Sequence, residues 1–133
     1  TRFLKEAERL TMSIPGCVIV SGDTPKKERE RILEMFKVGE IPVVANVGVL
    51  TTGFDYPELD TVVMARPTMS LAMYYQIVGR CIRPHKDKEA AWFVDLCGNI
   101  NRFGEVSDLH LKDTGNGKWA VFSRGRQLTN VRF

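Results

Sequence analysis

Short apolar segments that alternate with helical patterns are the feature that most restricts the fold of this chain. Residues 17–20, 41–45, 61–65 and 90–94 are apolar and bounded by turn residues, which is typical of strands buried on both faces of a sheet. Helical patterns separate these segments. Because such alternation builds a parallel sheet covered by helices, the sequence predicts an α/β domain.

Composition limits the classes of protein that need to be considered. A chain of 133 residues, 44% of them hydrophobic, fits one compact domain but not two. The net charge of +3 permits a nucleic-acid partner without requiring one. Three widely spaced cysteines indicate neither a disulfide framework nor a zinc site, so we predict no metal site. No apolar run approaches the roughly 18 residues of a membrane span, and we expect a cytoplasmic protein with no membrane partner.

Two helices have readable limits. Thr24 is expected to cap the first, with Pro25 in its first turn and Gly39 at its end. The basic side chains of this helix, within residues 26–31, are expected to form a solvated face. In the second helix, Leu71, Tyr75, Val78 and Ile82 are spaced as one apolar stripe, and Pro84 should end the helix.

The second helix also carries a polar row. Gln76, Arg80 and Arg83 fall at i, i+4 and i+7, on a face about 100° from the apolar stripe. Two guanidiniums one turn apart require an anionic partner, either carboxylates in a surface ion-pair network or the oxygens of a phosphate. Gly79, which weakens a helix by about 1 kcal/mol relative to Ala, favours the close approach of another group.

A second polar segment, residues 49–57, follows a predicted strand. It should therefore lie at the carboxyl edge of the sheet, where open α/β sheets bind ligands. Gly53 would let backbone amides approach an oxyanion, and Asp55 could accept a hydrogen bond from a sugar hydroxyl. The alternative is a plain connection in which Asp55 forms an Asx turn before Pro57.

The tail has a different pattern. Residues 113–117 form a turn cluster, and residues 118–123 and 127–133 alternate in polarity around residues 124–126, which predicts a β-hairpin. We place a domain boundary near Gly104, with one domain over residues 1–104 and an extension over residues 105–133. The chain also opens at Thr1 within a helical pattern, and we expect it to be a fragment of a longer protein.

The two polar segments together resemble a known family. Thr-Thr-Gly-Phe-Asp at 51–55 is followed, 21 residues after Asp55, by Gln-x-x-Gly-Arg-x-x-Arg at 76–83. With residues 21–39 upstream, this ordered set resembles motifs IV to VI in the C-terminal RecA-like domain of superfamily 2 helicases. The sequence is most similar to that of the RadD-like bacterial and phage helicases, whose pattern continues over residues 66–70, Tyr74 and residues 95–104.

The resemblance implies a RecA-like, P-loop NTPase-type parallel sheet with flanking helices, here missing its first strand. It implies that Arg83 is an arginine finger on the γ-phosphate of ATP, that Arg80 assists, and that Gln76 couples the two motor domains. The remaining ATP-side residues would be Gly53, Asp55 and Gly79. The nucleic-acid side would comprise Asn46, Thr51, Thr68 and Ser70, which touch phosphates without reading bases.

The chain lacks two parts that such a motor needs. It has no Gly-x-x-x-x-Gly-Lys-Ser/Thr loop for phosphates and no DEAD-type sequence for Mg²⁺, so it cannot hydrolyse ATP alone. ATP and Mg²⁺ would be bound mainly by an N-terminal RecA-like domain in cis, and the track would be nucleic acid, with DNA expected. The alternatives are a restriction-system DNA translocase subunit, an RNA helicase, or a non-catalytic nucleic-acid-binding module.

Overall fold

A computed structural model describes residues 1–50, 54–129 and 131–132 of the chain. The chain divides into two compact units, Thr1–Leu59 and Asp60–Phe133. Each unit contains one pair of parallel strands with helices packed against it. The α/β class predicted from the alternation of apolar and helical segments is therefore confirmed.

The first unit is built in the order helix, strand, helix, strand. Its elements are α1 (Leu4–Ser13), β1 (Cys17–Val20), α2 (Lys26–Lys37) and β2 (Val43–Asn46). Strands β1 and β2 are parallel, with Cys17 opposite Val43 and Val20 opposite Asn46. Val20, Ile32 and Ile41 form the buried core. Ile41 therefore packs in the core from just outside β2, although the sequence pattern predicted it within the strand.

Helix α2 begins differently from the prediction. Its N-cap is Pro25, which offers no side-chain cap, and the Thr24 hydroxyl accepts a hydrogen bond from the Ser21 amide at 3.0 Å instead. The prediction that Thr24 caps this helix was therefore wrong, because the hydroxyl closes the preceding turn. Arg31 pairs with Glu28 at 2.8 Å on the surface, which fits the expected solvated face, whereas Arg29 is half-buried and donates to the Thr24 carbonyl at 3.2 Å.

The second unit starts with a parallel pair and ends in an antiparallel sheet. Its elements are β3 (Thr61–Met64), α3 (Leu71–Cys81), β4 (Trp92–Asp95), α4 (Asn99–Phe103), a 3-10 turn (Val106–Asp108), β5 (His110–Gly115), β6 (Lys118–Ser123), β7 (Arg126–Gln127) and β8 (Val131–Arg132). Strands β3 and β4 pair in parallel, with Thr61 opposite Trp92. The core consists of Met64, Tyr74, Val78 and Phe103.

The four-stranded antiparallel sheet contains the predicted hairpin, whose second arm is divided into β7 and β8, and the further strand β5. Strand β6 pairs with β5 on one side and with β7 and β8 on the other. The turn from β5 to β6 has positive φ at Asn116 (55°) and Gly117 (69°), as a two-residue type I′ hairpin requires. Strand β5 was not predicted, because it is exposed throughout and shows no buried alternation.

The predicted boundary near Gly104 lies inside the second unit. The Gly104 carbonyl accepts a hydrogen bond from the Tyr74 hydroxyl at 2.9 Å. A side chain at position 104 would collide with Ser123 of β6, so this glycine lets the chain pass close to the sheet. The division into residues 1–104 and 105–133 stays a prediction about function.

Candidate functional site

Helix α3 carries three of the predicted site residues, Gln76, Gly79 and Arg80, and its start is fixed by a cap. Ser70 is the N-cap, and its hydroxyl accepts a hydrogen bond from the Met73 amide at 3.2 Å. At the other end, Lys88 donates to the Cys81 carbonyl at 2.8 Å, which satisfies a carbonyl that the helix leaves open. Both ends of the helix are therefore held by side chains of the second unit.

The buried stripe of α3 differs from the predicted one. Tyr74, Val78 and Cys81 are buried, whereas Tyr75 and Ile82, which were assigned to the stripe, are 56% and 48% exposed. The predicted and the observed stripes are adjacent on the helix surface, and residue spacing alone does not show which of the two is buried. The prediction for Tyr75 and Ile82 was wrong because Tyr74 can bury its ring against Phe103 and still give its hydroxyl a partner.

The polar row is only partly helical. Gln76 is exposed and Arg80 half-buried, one helical turn apart within α3. Helix α3 ends at Cys81 with Ile82 as its C-cap, so Arg83 lies just beyond the helix and is half-buried there. Because Arg83 lies outside the helix, its i+7 spacing from Gln76 does not determine the direction of its side chain. Arg80 lies in the last turn, where a cation is favoured by the partial negative charge of the helix end.

Gly79 lies on the open part of α3. A Cβ atom added there would meet no described heavy atom within 4 Å, apart from its own helix backbone and chain neighbours. Packing within the described part of the chain therefore does not require glycine at this position. This open position lies three residues after Gln76 and directly before Arg80 in the helix.

The first unit spans the predicted site residues between Asn46 and Asp55. The Asn46 side-chain oxygen accepts from the Val49 and Leu50 amides at 3.0 and 3.1 Å, which closes the turn after β2. The Asp55 side chain is exposed. Thr51 and Gly53 lie outside the described residues. Asn46 is therefore placed as a turn-forming residue whose oxygen is already engaged.

The predicted pair Thr68 and Ser70 lies in the loop between β3 and α3. Thr68 is 8% exposed, and its hydroxyl accepts from the Ser70 amide at 3.0 Å. Its amide donates to the Asn99 side-chain oxygen at 3.0 Å, and its carbonyl accepts from the Arg102 guanidinium at 3.0 Å. The structure thus brings the two predicted residues together, with the Ser70 side chain exposed and the Thr68 side chain buried.

Asp95, Asn99 and Arg102 were part of the quoted pattern but had no predicted role. Asp95 is the last residue of β4 and accepts from the Cys97 and Ile100 amides and from the Asn99 side chain, at 3.1, 2.8 and 2.8 Å. Burial alone would raise the pKa of Asp95, but these hydrogen bonds outweigh it and hold the pKa below its usual value. Two signals in the sequence could have pointed to these residues: the Asp95 carboxylate directly after the predicted strand of residues 90–94, and Gly98 directly before α4.

Two negative findings complete the geometry. Within residues 1–50, 54–129 and 131–132, no group of three or more His, Cys, Asp or Glu side chains is placed to hold a metal ion. No helix in the part of the chain that the structure describes is long and apolar enough to cross a membrane.

Comparison with known proteins decides the family. Residues 2–85, more than half of the chain, match the family model described as the helicase conserved C-terminal domain. The chain belongs to this family. The match includes every predicted site residue, from Asn46 to Arg83, and ends before Asp95.

Relatives of this helicase C-terminal domain are much longer than the chain. A Saccharomyces cerevisiae protein provisionally named ATP-dependent helicase IRC3 is 38% identical over 79 residues, which is 59% of this chain and 12% of the relative. A 51.5 kDa protein of a Lactococcus phage is 34% identical over 104 residues, 77% of this chain and 23% of the relative. The chain therefore spans less than a quarter of either relative.

A solved structure supports the fold. The C-terminal domain of the DEAD-box protein Dbp5 matches with a TM-score of 0.58 at 23% identity, covering 72% of this chain and 58% of that chain. The RecA-like architecture expected from the sequence is thereby confirmed. The chain is the C-terminal domain of a superfamily 2 helicase, and its assignment to the RadD-like group stays a prediction.

Proposed function

We propose that this helicase C-terminal domain is one half of an ATP-driven motor that moves on nucleic acid. It would act with an N-terminal RecA-like domain in cis, which would bind most of the ATP and Mg²⁺. The family match supports this proposal, as does the name of the yeast relative, an ATP-dependent helicase. The motor would open and close the two domains as ATP is bound and hydrolysed.

The observation that carries the proposal is the pair of arginines at the C-terminal end of α3. Arg80 lies in its last turn and Arg83 two residues beyond it, and both side chains are half-buried. Partial burial restricts the motion of a long side chain, which lowers the entropy lost when it meets a ligand. Planar guanidiniums held in this way suit the equatorial oxygens of a phosphoryl group, on which charge is spread during transfer.

Each arginine has a distinct proposed role. Arg83 would be the arginine finger, because its position beyond the helix allows it to reach across to a nucleotide held by the other domain. Arg80, held within the last turn, would assist it. Gln76, exposed one turn earlier, would couple the two domains, and the open space at Gly79 would admit the surface that approaches.

The remaining assignments come from the sequence pattern, and exposure supports two of them, Asp55 and Ser70. The exposed Asp55 carboxylate would accept from a ribose hydroxyl, with Gly53 beside the nucleotide. Ser70 would present its hydroxyl to a backbone phosphate of the nucleic acid, as would Thr51. Asn46 and Thr68, whose side-chain oxygens accept hydrogen bonds within their own loops, would act by shaping the main chain on the nucleic-acid side.

The proposal is tested by ATP hydrolysis in the full-length protein, with and without nucleic acid. Arg83→Ala should lower the nucleic-acid-stimulated kcat by about 10³-fold, because a finger stabilises the transition state. Arg31→Ala, which removes an exposed arginine paired with Glu28, is the matched control and should retain activity. Unchanged stimulated kcat in Arg83→Ala would contradict the finger assignment.

The same assay identifies the track. We expect single-stranded DNA to stimulate hydrolysis more than an RNA of the same sequence. Stronger stimulation by RNA would make the chain part of an RNA helicase. If neither nucleic acid stimulated the full-length protein, the motor proposal itself would be contradicted.

A further inference from the structure

Two side chains of α4 hold the main chain of a single residue in the loop that precedes α3. Asn99 accepts the Thr68 amide proton at 3.0 Å, and Arg102 donates to the Thr68 carbonyl at 3.0 Å. The two side chains lie one helical turn apart, so they reach the loop from the same face of α4. Both polar groups of the Thr68 backbone are therefore fixed by residues more than 30 positions later in the chain.

Asp95 fixes the orientation of the Asn99 amide. The Asn99 nitrogen donates to the Asp95 carboxylate at 2.8 Å and to the Arg66 carbonyl at 3.0 Å. With both donor directions used, the side-chain oxygen must face the Thr68 amide. Asn99 is fully buried, so a misplaced amide would leave polar groups without partners at substantial cost.

The hydrogen bonds at Thr68 continue into α3. The Thr68 hydroxyl accepts from the Ser70 amide, and the Ser70 hydroxyl in turn caps α3 at the Met73 amide. A chain of hydrogen bonds thus runs from α4 through the loop of residues 66–70 to the first turn of α3. Asp95, Asn99 and Arg102 all lie beyond the segment that matches the helicase family model.

We propose that Asn99 and Arg102 are positioning residues that preorganise the loop of residues 66–70 for binding the phosphate backbone of nucleic acid. The inference rests on the proposed function, since it gives that loop its ligand. Connecting loops are the more mobile parts of a fold, and a loop that is already ordered loses less entropy when it binds. Neither side chain needs to touch the nucleic acid itself.

The test measures binding of the full-length protein to a fluorescein-labelled oligothymidylate over a range of salt concentrations. Oligouridylate replaces it if only RNA stimulates the wild-type ATPase. Arg102→Met should raise Kd about 10-fold without changing the slope of log Kd against log salt, since no phosphate contact is lost. Arg102→Lys, which keeps a donor for the Thr68 carbonyl, should recover most of the affinity.

Further variants separate this role from simple charge loss or misfolding. Arg31→Met removes an exposed positive charge and should leave Kd within about two-fold of wild type, the range expected of a surface change. Asn99→Ala should weaken binding as Arg102→Met does, with faster exchange of the Thr68 amide that Asn99 accepts. Because Asn99→Ala removes a buried amide, its effect on folding and its effect on binding are not separable from Kd alone. The deciding comparison is therefore between Arg102→Met and Arg102→Lys, at a half-buried residue. An unchanged melting temperature shows that both of these variants are folded.

The outcomes divide clearly. An unchanged Kd in Arg102→Met, or a salt slope reduced by about one, would overturn the inference, the latter because it signals a direct phosphate contact. A kcat that falls at saturating nucleic acid while Kd stays constant would also overturn it. If neither nucleic acid stimulates the ATPase of the wild-type protein, in contrast, the proposed function is contradicted, whatever the variants show.

Discussion

Asp95 illustrates how one carboxylate organises the end of a strand. It accepts hydrogen bonds from two backbone amides and from Asn99, and these bonds lower its pKa despite its partial burial. A carboxyl group with a lowered folded-state pKa stabilises the fold above its unfolded pKa. That contribution disappears as the pH falls through the folded value.

Asp95→Asn should therefore destabilise the protein in a way that depends on pH. At pH 7 we expect a loss of about 1–3 kcal/mol, because the amide cannot accept at both oxygen positions. Below about pH 4, the usual value for Asp, the unfolded carboxyl group takes up a proton before the folded one does, so the difference should shrink as the pH falls further. Urea unfolding at a series of pH values measures both, and a difference that stays constant down to pH 2.5 would contradict this explanation.

The sequence predicts the local part of the candidate site and not its long-range contacts. Arg80, Arg83 and Gln76 are predicted because their spacing is periodic over a few residues. The contacts of Asn99 and Arg102 with Thr68 span 31 and 34 residues, and no pattern within a short window contains them. Thr68 is predicted to lie on the nucleic-acid side, and the pattern did not indicate that its side chain is buried, with the hydroxyl accepting from the Ser70 amide.

At the scale of elements, length decided which predictions succeeded. Helix α3 has 11 residues and a continuous apolar face, so its existence and its end before Pro84 were predictable. Helix α4 has only five residues, which is too few to show a helical period, and it was missed. The turn at Asn116 and Gly117 was predictable from turn chemistry, whereas the exposed strand β5 before it was not.

Gly79→Ala separates the stability of α3 from its proposed role. Ala favours a helix by about 1 kcal/mol over Gly, and the added Cβ meets no described atom outside the helix backbone and chain neighbours. We therefore expect the free energy of unfolding to rise by up to about that amount. If another surface must approach here, the stimulated ATPase should nevertheless fall several-fold.

Thermal or urea unfolding and steady-state ATPase assays on the same preparation check both halves of this prediction. A stabilised variant with full activity would show that nothing approaches the helix at Gly79. A destabilised variant would instead indicate that the helix is packed more tightly there than the structure shows.

At the scale of the whole molecule, the chain contributes a helicase C-terminal domain, and the proposed function places the phosphate-binding loop in the N-terminal domain. The matched family segment contains Arg80 and Arg83, while the residues that order the loop before α3 lie after it. We therefore expect catalysis and nucleic-acid affinity to respond separately to substitutions at these two places. Arg83 should affect hydrolysis, and Arg102 should affect binding.

The most direct measurement is the single-turnover rate of hydrolysis of ATP bound to the full-length protein at saturating nucleic acid. We expect Arg83→Lys to bind ATP with an affinity within a few-fold of wild type but to hydrolyse it about 10³-fold more slowly, because a lysine lacks the planar fork. Equal rates in Arg83→Lys and wild type, at equal ATP occupancy, would contradict the assignment of Arg83 as the arginine finger.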